Sequence, residues 1–469
     1  MGSGGLPVDF TAPVKLFLHA PCDSLTDNVL ANLSANTLAN TLDTQILPSN
    51  LSQMDSIIFD EDYWRHEEEE EDALAAFVGS AILGRPTPIR TLRTYLTRDD
   101  LAGHPRSSSA WAHLRAVGND RAYVTTMGVD VQTFEALLEH FNAAWDLEAI
   151  YRADVNPNGA PQLARRSLDA AGGLGLVLHW LSSTMASHTL QQIFAITPAV
   201  CARYLQHGRR LLLDVLRDLE MAKIVWPSRE EKTKYYSSLI ERKFPLLTKC
   251  FGFIDGLNLP VMVADDDDLQ NAYYNGWTCS HYCSSVLTFA PDGTVIHAIM
   301  NAPGSWHGSN VAERLYEKLQ HDTPHGYRVI SDTEFPRVTN RLGYRIVAPA
   351  KRGDKLPKDS VKFARLKVFN EQLVSARQAA EWGMRLIQGS FSRLKLLMPA
   401  SDHEYRAQVL ELTVWLHQIR CRSVGINQTQ TVYQQVENDY NLLCRSFHRM
   451  LFGQIQKKCR ISRYYNGWL

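Results

Sequence analysis

Three carboxylates in the second half of the chain have the surroundings of metal ligands. Asp255 follows the apolar run Cys-Phe-Gly-Phe-Ile, Asp332 follows Tyr-Arg-Val-Ile-Ser, and Glu381 lies within a helical pattern. Cutting a phosphodiester requires stabilisation of both the attacking and the leaving oxygen, which two neighbouring divalent ions can provide. Carboxylate oxygens are the ligands that Mg²⁺ prefers. These three residues are therefore candidates for a catalytic site that holds two divalent metal ions, Mg²⁺ or Mn²⁺.

Each candidate also has an ordinary structural explanation. An aspartate at the end of a strand is often a turn residue, and Glu381 with Arg385 has the i, i+4 spacing of an ion pair on a helix surface. His307 either orients a water or phosphate as an auxiliary residue, or is structural. The four aspartates at 265–268 are typical of a solvated loop. Residue types alone leave these alternatives open.

The hydrophobic pattern predicts the elements that position these residues. Short apolar runs separated by turn residues predict strands within 250–348, with a hairpin at Pro-Asp-Gly 291–293. Helical patterns follow. Strands grouped before helices indicate a domain of the α+β or α/β class. Two strand aspartates and one helical glutamate are the arrangement of an RNase H-like nuclease core, with a mixed sheet and flanking helices.

Upstream of the strands the chain is predicted to be helical and contains a helix-turn-helix pattern over 174–216. Thr197 precedes a proline, as at an N-cap followed by the first helical position. The helix that begins there is basic, and its apolar positions predict that Arg209 lies away from the packed face, with Arg203 and Arg210 on its flank. Two packed helices of an all-α domain would have the same pattern. The arginines predicted to contact DNA are Arg203, Arg209 and Arg210.

The net charge of the chain is −1, but acidic and basic residues are distributed unevenly along it. Residues 1–72 contain 14 Asp and Glu but 2 Lys and Arg, whereas residues 73–469 have a net charge of +11. From residue 440 to the end there are six Lys and Arg and no acidic residue, with aromatic residues between them. Such a tail suits phosphates and bases, although it could also pack on the main body. The tail residues predicted to contact DNA are Lys457, Lys458, Arg460 and Arg463.

The composition, with 45% hydrophobic and 21% charged residues, is that of a globular protein. No apolar run is long enough for a membrane span, and residues 1–18 lack the pattern of a secretory signal. Eight scattered cysteines favour reduced thiols inside a cell. We predict a weakly ordered acidic segment (1–72), a helical domain (73–247), a nuclease domain (248–430) and a basic aromatic tail (431–469).

Five sequence blocks resemble, in the same order, those of PIF/Harbinger-type DDE transposases. The blocks are FIDGLNLP at 253–260, YNGWTCSH at 274–281, APGSWHGS at 302–309, ISDTEFP at 330–336 and AEWGMRLIQGSFSRL at 380–394. Three positions depart from the pattern. The acidic residue usual after the histidine is Gly308, the glycine usual before the second aspartate is Ser331, and Glu334 stands where a glycine is common. No departure removes one of the three carboxylates.

The resemblance implies a transposase that cleaves phosphodiester bonds at the ends of its element and transfers the strands to a target. Double-stranded DNA is then the substrate and partner, in the nucleus, with no membrane involved. The resemblance also implies a separate Myb-like DNA-binding partner protein, and we expect a homo-oligomer. Two other functions stay open, namely a domesticated DNA-binding protein without cleavage and a general nuclease derived from such a transposase.

Overall fold

The computed structural model describes residues 95–150, 161–335, 342, 344–350, 354 and 357–434. The acidic segment 1–72 and the four tail cations Lys457, Lys458, Arg460 and Arg463 lie outside the described residues. The predictions made for them, and the predicted domain boundaries, stay predictions. No helix of the described part is long and apolar enough to cross a membrane.

The described residues before residue 250 form helices and no strand. Several of these helices begin at a polar residue whose side chain accepts a hydrogen bond from a backbone N–H of the first turn. Such caps are Ser109, Asn119, Asp130 and Asp169. The helices are α1 (Ala110–Val117), α2 (Asp120–Met127), α3 (Val131–Leu147), α4 (Ala170–Ser182), α5 (Ser187–Phe194), α6 (Pro198–Asp218) and α7 (Glu230–Lys243).

A six-stranded sheet follows the helical region. Its strands are β1 (Cys250–Pro260), β2 (Tyr274–Asn275), β3 (Ser280–Phe289), β4 (Val295–Pro303), β5 (Arg328–Ile330) and β6 (Ile346–Val347). β1 pairs with β3 in antiparallel and with β5 in parallel orientation, while β4 and the short β2 pair with β3, and β6 pairs with β5. This mixed sheet behind an all-helical region confirms the predicted fold class.

Strand β1 is longer than the sequence pattern predicted. It was expected to end at or near Asp255, but it continues to Pro260 and stays paired with β3 over its whole second half. The buried residues Leu257 and Leu259 alternate with the more exposed Gly256 and Asn258, so one face of the strand remains in the core. Asp255 therefore lies in the middle of a central strand and not at its end.

Helices of the second half cover the sheet. They are α8 (Asp267–Tyr273), α9 (Gly308–Val311), α10 (Glu313–His321), α11 (Ser360–Ser390), α12 (His403–Ile419) and α13 (Gln428–Gln434). The long helix α11 contacts β1, β3 and β5. At Gly383 of this helix, a Cβ would lie 2.7 Å from Cζ of Phe289, so only glycine allows α11 to lie this close to the sheet. This close approach sets the distance between α11 and the sheet at β3.

Helices α5 and α6 form the predicted helix-turn-helix pair, with Thr197 at the N-cap position and a proline at the start of α6. The environment of α6 differs from the prediction because this helix is buried on two sides. One side packs on α3, α4 and α5, and another side packs on α12 of the nuclease region. The apolar periodicity identified the first side only.

Arg209 is the residue most affected by this second contact. It was predicted to face outward and to contact DNA, but it is 6% exposed. Its guanidinium lies 5.0 Å from the ring centre of Trp180 on α4 and 4.7 Å from that of Tyr405 on α12. A buried cation between two aromatic rings stabilises the packing of these helices. The prediction that Arg209 contacts DNA is therefore wrong.

The other two α6 arginines that were predicted to contact DNA remain nearer the surface. Arg203 is half-buried and Arg210 is exposed. Arg210 is bound to the Glu148 carboxylate beside the end of α3, and the exposed Arg217 pairs with Asp214 at 2.7 Å. The exposed arginines on the outer face of α6 are thus paired with acidic side chains.

We predict different effects on stability for two adjacent substitutions on α6. Arg209→Ala should lower the free energy of unfolding by about 2 kcal/mol or more, because a desolvated cation–π contact and buried side-chain packing are lost. Arg210→Ala should change it by less than about 1 kcal/mol, because its ion pair is exposed. Urea unfolding of both variants measures this difference. Equal effects would show that Arg209 is not packed between α4 and α12.

Candidate active site

Asp255 lies at the centre of the sheet. Its neighbour across the β1–β3 pair is Leu287, and β5 runs along the other side of β1. The residue is half-buried, and its Oδ1 accepts a hydrogen bond of 3.0 Å from the N–H of Gly256. The carboxylate is therefore held on an inner strand, where the surrounding protein removes much of its hydration.

Asp332 follows β5 by two residues. The parallel pairing places Phe253 beside Ile330, and continuing the same register places Asp332 level with Asp255. Ser331, between β5 and Asp332, is fully buried, and its N–H donates to the carbonyl of Val347 at 2.9 Å. Asp332 is thereby brought to the same region as Asp255, although the two are 77 residues apart in the chain.

Glu381 comes from α11, the helix that lies on β1, β3 and β5. Its neighbours Ala380 and Gly383 are buried against the sheet, which leaves Glu381 half-buried at the edge of this contact. The Glu381 carboxylate accepts a hydrogen bond of 2.7 Å from Arg377, one turn earlier. The ion pair considered from the sequence used Arg385 instead, which is exposed on the following turn.

The electrostatics of Asp255 show that the three carboxylates influence one another. The pKa of Asp255 is raised to about 6. Burial is the largest cause, and the negative charges of Asp332 and Glu381 act in the same direction. The N–H of Gly256 and the guanidinium of Arg377 oppose the rise. The ionised form of Asp255 is consequently poorly stabilised, and a nearby cation would stabilise it.

The three carboxylates are chemically suited to a metal ion, but their side chains would have to rearrange to bind one together. In the described part of the chain, no three His, Cys, Asp or Glu side chains are grouped closely enough to hold an ion. The three carboxylates nevertheless offer the oxygen ligands that Mg²⁺ prefers, and Glu381 already pairs with a cation. Arg377 contacts Oε1 of Glu381, so an ion held together with Asp255 and Asp332 would either share this carboxylate with Arg377 or displace Arg377 from it.

His307 lies on the loop after β4, close to the Asp332 loop. Its Nδ1 accepts a hydrogen bond of 3.2 Å from the N–H of Ser309, at the start of the short helix α9. The same nitrogen is 4.0 Å from the carboxylate of Glu334, and that carboxylate also accepts a hydrogen bond of 3.0 Å from the N–H of Gly308. Both of the alternative roles considered for His307 are compatible with this position.

Two residues of this region were not selected from the sequence. Arg377 could have been found, because it precedes Glu381 by four residues and such pairs are neighbours on a helix. Glu334 was noted only as a departure from the family pattern. Its contact with Gly308 joins residues that are 26 positions apart and had no signal in the sequence.

The acidic run at 265–268 is exposed, as expected for a solvated segment. Within it, Asp266 caps α8 by accepting a hydrogen bond of 2.8 Å from the N–H of Leu269. Helix capping therefore accounts for one of the four aspartates, and this role does not require a metal ion.

The raised pKa predicts how Asp255 affects stability. Its pKa is about 6 in the folded protein against an ordinary value of 3.8, so its stabilising contribution is present below 3.8 and is lost as the pH rises through 6. At pH 8 the metal-free protein holds an unfavourable charge, which Asp255→Asn removes. We expect this substitution to raise the free energy of unfolding by up to about 3 kcal/mol at pH 8 and by little at pH 4.

Urea unfolding in EDTA at both pH values measures the effect, with the exposed Asp265→Asn as the control. A stability change that is the same at pH 4 and pH 8 would contradict the proposed charge repulsion at Asp255.

Comparison with known families supports the interpretation of this region. Residues 254–418 match the family described as DDE superfamily endonuclease. The matched segment begins in β1, ends in α12 and includes Asp255, Asp332 and Glu381. No curated protein and no solved structure matches the chain. The match confirms the resemblance seen in the five blocks, and this chain contains a DDE endonuclease domain of the Harbinger transposase-derived family.

Proposed function

We propose that this protein is an active metal-dependent DNA endonuclease, and specifically a transposase of the PIF/Harbinger type. It would cleave phosphodiester bonds at the ends of its element and transfer the strands to target DNA. The observation that carries the proposal is the placement of three carboxylates from separate elements, Asp255 on β1, Asp332 after β5 and Glu381 on α11, around one strand of the sheet. The raised pKa of Asp255, caused first by burial and then by the charges of Asp332 and Glu381, is consistent with this placement. A half-buried carboxylate with two others near it, within a DDE endonuclease domain, is suited to binding cations.

In this proposal Asp255, Asp332 and Glu381 hold the metal. Two Mg²⁺ or Mn²⁺ ions, when bound, supply positive charge to the attacking and leaving oxygens. Asp255 on its central strand provides a rigid ligand, and Asp332 stands beside it at the end of β5. Arg377 holds Glu381 in the absence of metal and partly neutralises the site. His307 is positioned to orient a water or a phosphate oxygen next to these carboxylates.

Binding of double-stranded DNA is part of the same proposal. Of the α6 arginines, Arg203 and Arg210 remain candidates for contacts with phosphates, whereas Arg209 is withdrawn because it is buried. The tail cations Lys457, Lys458, Arg460 and Arg463 would add electrostatic affinity for any DNA sequence. The resemblance adds a nuclear location and a Myb-like partner protein, and we retain a homo-oligomer as our expectation.

A second candidate is a domesticated DNA-binding protein without cleavage. One observation favours it: Glu381 is already engaged by Arg377, one turn earlier on the same helix. A general nuclease, which would cut without preference for element ends, is a third outcome of the same experiment.

We predict that the purified full-length protein nicks duplexes carrying the DNA that flanks its own coding sequence when Mg²⁺ or Mn²⁺ is added. Asp255→Asn, Asp332→Asn and Glu381→Gln should each reduce the nicking rate at least about 100-fold, because charge stabilisation by the ions contributes several kcal/mol. Asp265→Asn, which removes an exposed carboxylate outside the site, should cut like wild type.

Cutting by all three variants at the wild-type rate would contradict the site assignment. Binding of duplex DNA without metal-dependent cutting would favour the domesticated protein. Equal cutting of flanking and scrambled duplexes would favour the general nuclease.

Arg377 should compete with metal for Glu381. Arg377→Ala removes this competing cation, so Mn²⁺ should bind more tightly, by about fivefold if the half-exposed ion pair contributes about 1 kcal/mol. Arg385→Ala is the matched control, because Arg385 is also four residues from Glu381 but on the other side and exposed. Isothermal titration at pH 8 measures both affinities. Weaker Mn²⁺ binding after Arg377→Ala would contradict the competition and assign Arg377 a supporting role.

A further inference from the structure

Glu334 connects two loops that meet at the candidate active site. Its Oε1 accepts a hydrogen bond of 3.0 Å from the N–H of Gly308, on the loop that follows β4. Its own N–H donates to Oδ1 of Asp332 at 2.9 Å. The side chain of Glu334 thus bonds to the His307 loop. The backbone of the same residue bonds to the carboxylate of Asp332.

The orientation of the Asp332 carboxylate consequently depends on where the backbone of Glu334 lies. Phe335, the next residue, is 1% exposed and anchors this backbone from the core side. The Glu334–Gly308 hydrogen bond anchors it from the other side, across 26 residues of chain. Breaking this bond would release the turn that presents Asp332 to the site.

Gly308 fits this arrangement because it has no side chain. A Cβ at this position would lie 2.8 Å from Cδ of Glu334, in the space that the carboxylate fills. The φ angle of Gly308 is not in the left-handed region, so backbone conformation does not require glycine here. The Glu334 carboxylate therefore occupies the space that a side chain at position 308 would need, and it would have to move to admit one.

We propose that Glu334 is a positioning residue, which orients Asp332 through the Gly308 contact. The inference rests on the proposed metal-dependent function. Glu334 itself would contact neither metal nor DNA. It would affect metal binding only by orienting Asp332. Hydrogen-bonding partners of metal ligands commonly change metal affinity by about tenfold or more when removed.

The test is a double-mutant cycle on the full-length protein, with Mn²⁺ affinity measured by isothermal titration at pH 8. Glu334→Ala should weaken Mn²⁺ binding about tenfold. Gly308→Ala should weaken it similarly, because the added methyl group displaces the Glu334 carboxylate. The double variant should be no weaker than Glu334→Ala alone, since the methyl group then has room. Glu334→Gln retains an acceptor oxygen and should stay within about twofold of wild type.

A second measurement does not depend on metal. Hydrogen–deuterium exchange of the metal-free protein should become faster in Glu334→Ala, both in the peptide around Gly308 and in the peptide around Asp332. Glu317→Ala, which removes an exposed carboxylate from α10, should leave both peptides unchanged. Thermal unfolding of every variant checks that the fold is retained.

Unchanged exchange in Glu334→Ala would overturn the inference, as would wild-type Mn²⁺ affinity in that variant or an additive loss in the double variant. A loss in Glu334→Gln equal to that in Glu334→Ala would overturn it as well, because the charge and not the hydrogen bond would then matter. Failure of the proposed function looks different, since Asp255→Asn would then leave any Mn²⁺ binding of the wild type intact.

Discussion

Partial burial of the Asp255 carboxylate on a central strand is the constraint on which the rest of this site depends. Asp255 is removed from water on a central strand, and two further carboxylates act on it from β5 and α11. Bringing like charges together in a region of low dielectric is unfavourable. Such a cluster persists only where the surrounding fold is stable enough to hold it, and where some cation offsets the repulsion.

Arg377 is the cation that the chain itself provides. It binds Glu381 at 2.7 Å and partly opposes the rise in the pKa of Asp255. The metal-free protein therefore has an internal counter-charge, which stabilises the cluster but also occupies one of the carboxylates that a metal would use. In the proposed competition between Arg377 and metal for Glu381, the strength of this ion pair influences how readily the site accepts an ion.

The framework that holds the cluster is built from both halves of the chain. The sheet positions Asp255 and Asp332 through strand pairing, and α11 reaches the sheet closely at Gly383. Helix α12 in turn packs on α6, where Arg209 lies between Trp180 and Tyr405. The helical region is thus a packing partner of the nuclease layer, in addition to any contact it makes with DNA.

The sequence by itself determined the local features and their order. Apolar runs, turn residues and helical periodicity predicted the sheet, the flanking helices and the pair α5–α6. The five blocks identified Asp255, Asp332 and Glu381, which the structure places around one strand. These features depend on neighbouring residues, which is why they can be read from the chain. The length of β1 was underestimated, although the alternation at Leu257 and Leu259 was available to show it.

Tertiary structure decided which side chains meet across long separations. Arg209 is buried because α12, about 200 residues later in the chain, covers a face of α6 that periodicity assigned to solvent. Glu334 and Gly308 depart from the family pattern separately, and only folding shows that one fills the space beside the other. A helical pattern specifies one apolar stripe and a strand pattern one face. Neither specifies the partner that packs against a second face, because that depends on the three-dimensional arrangement of the whole chain.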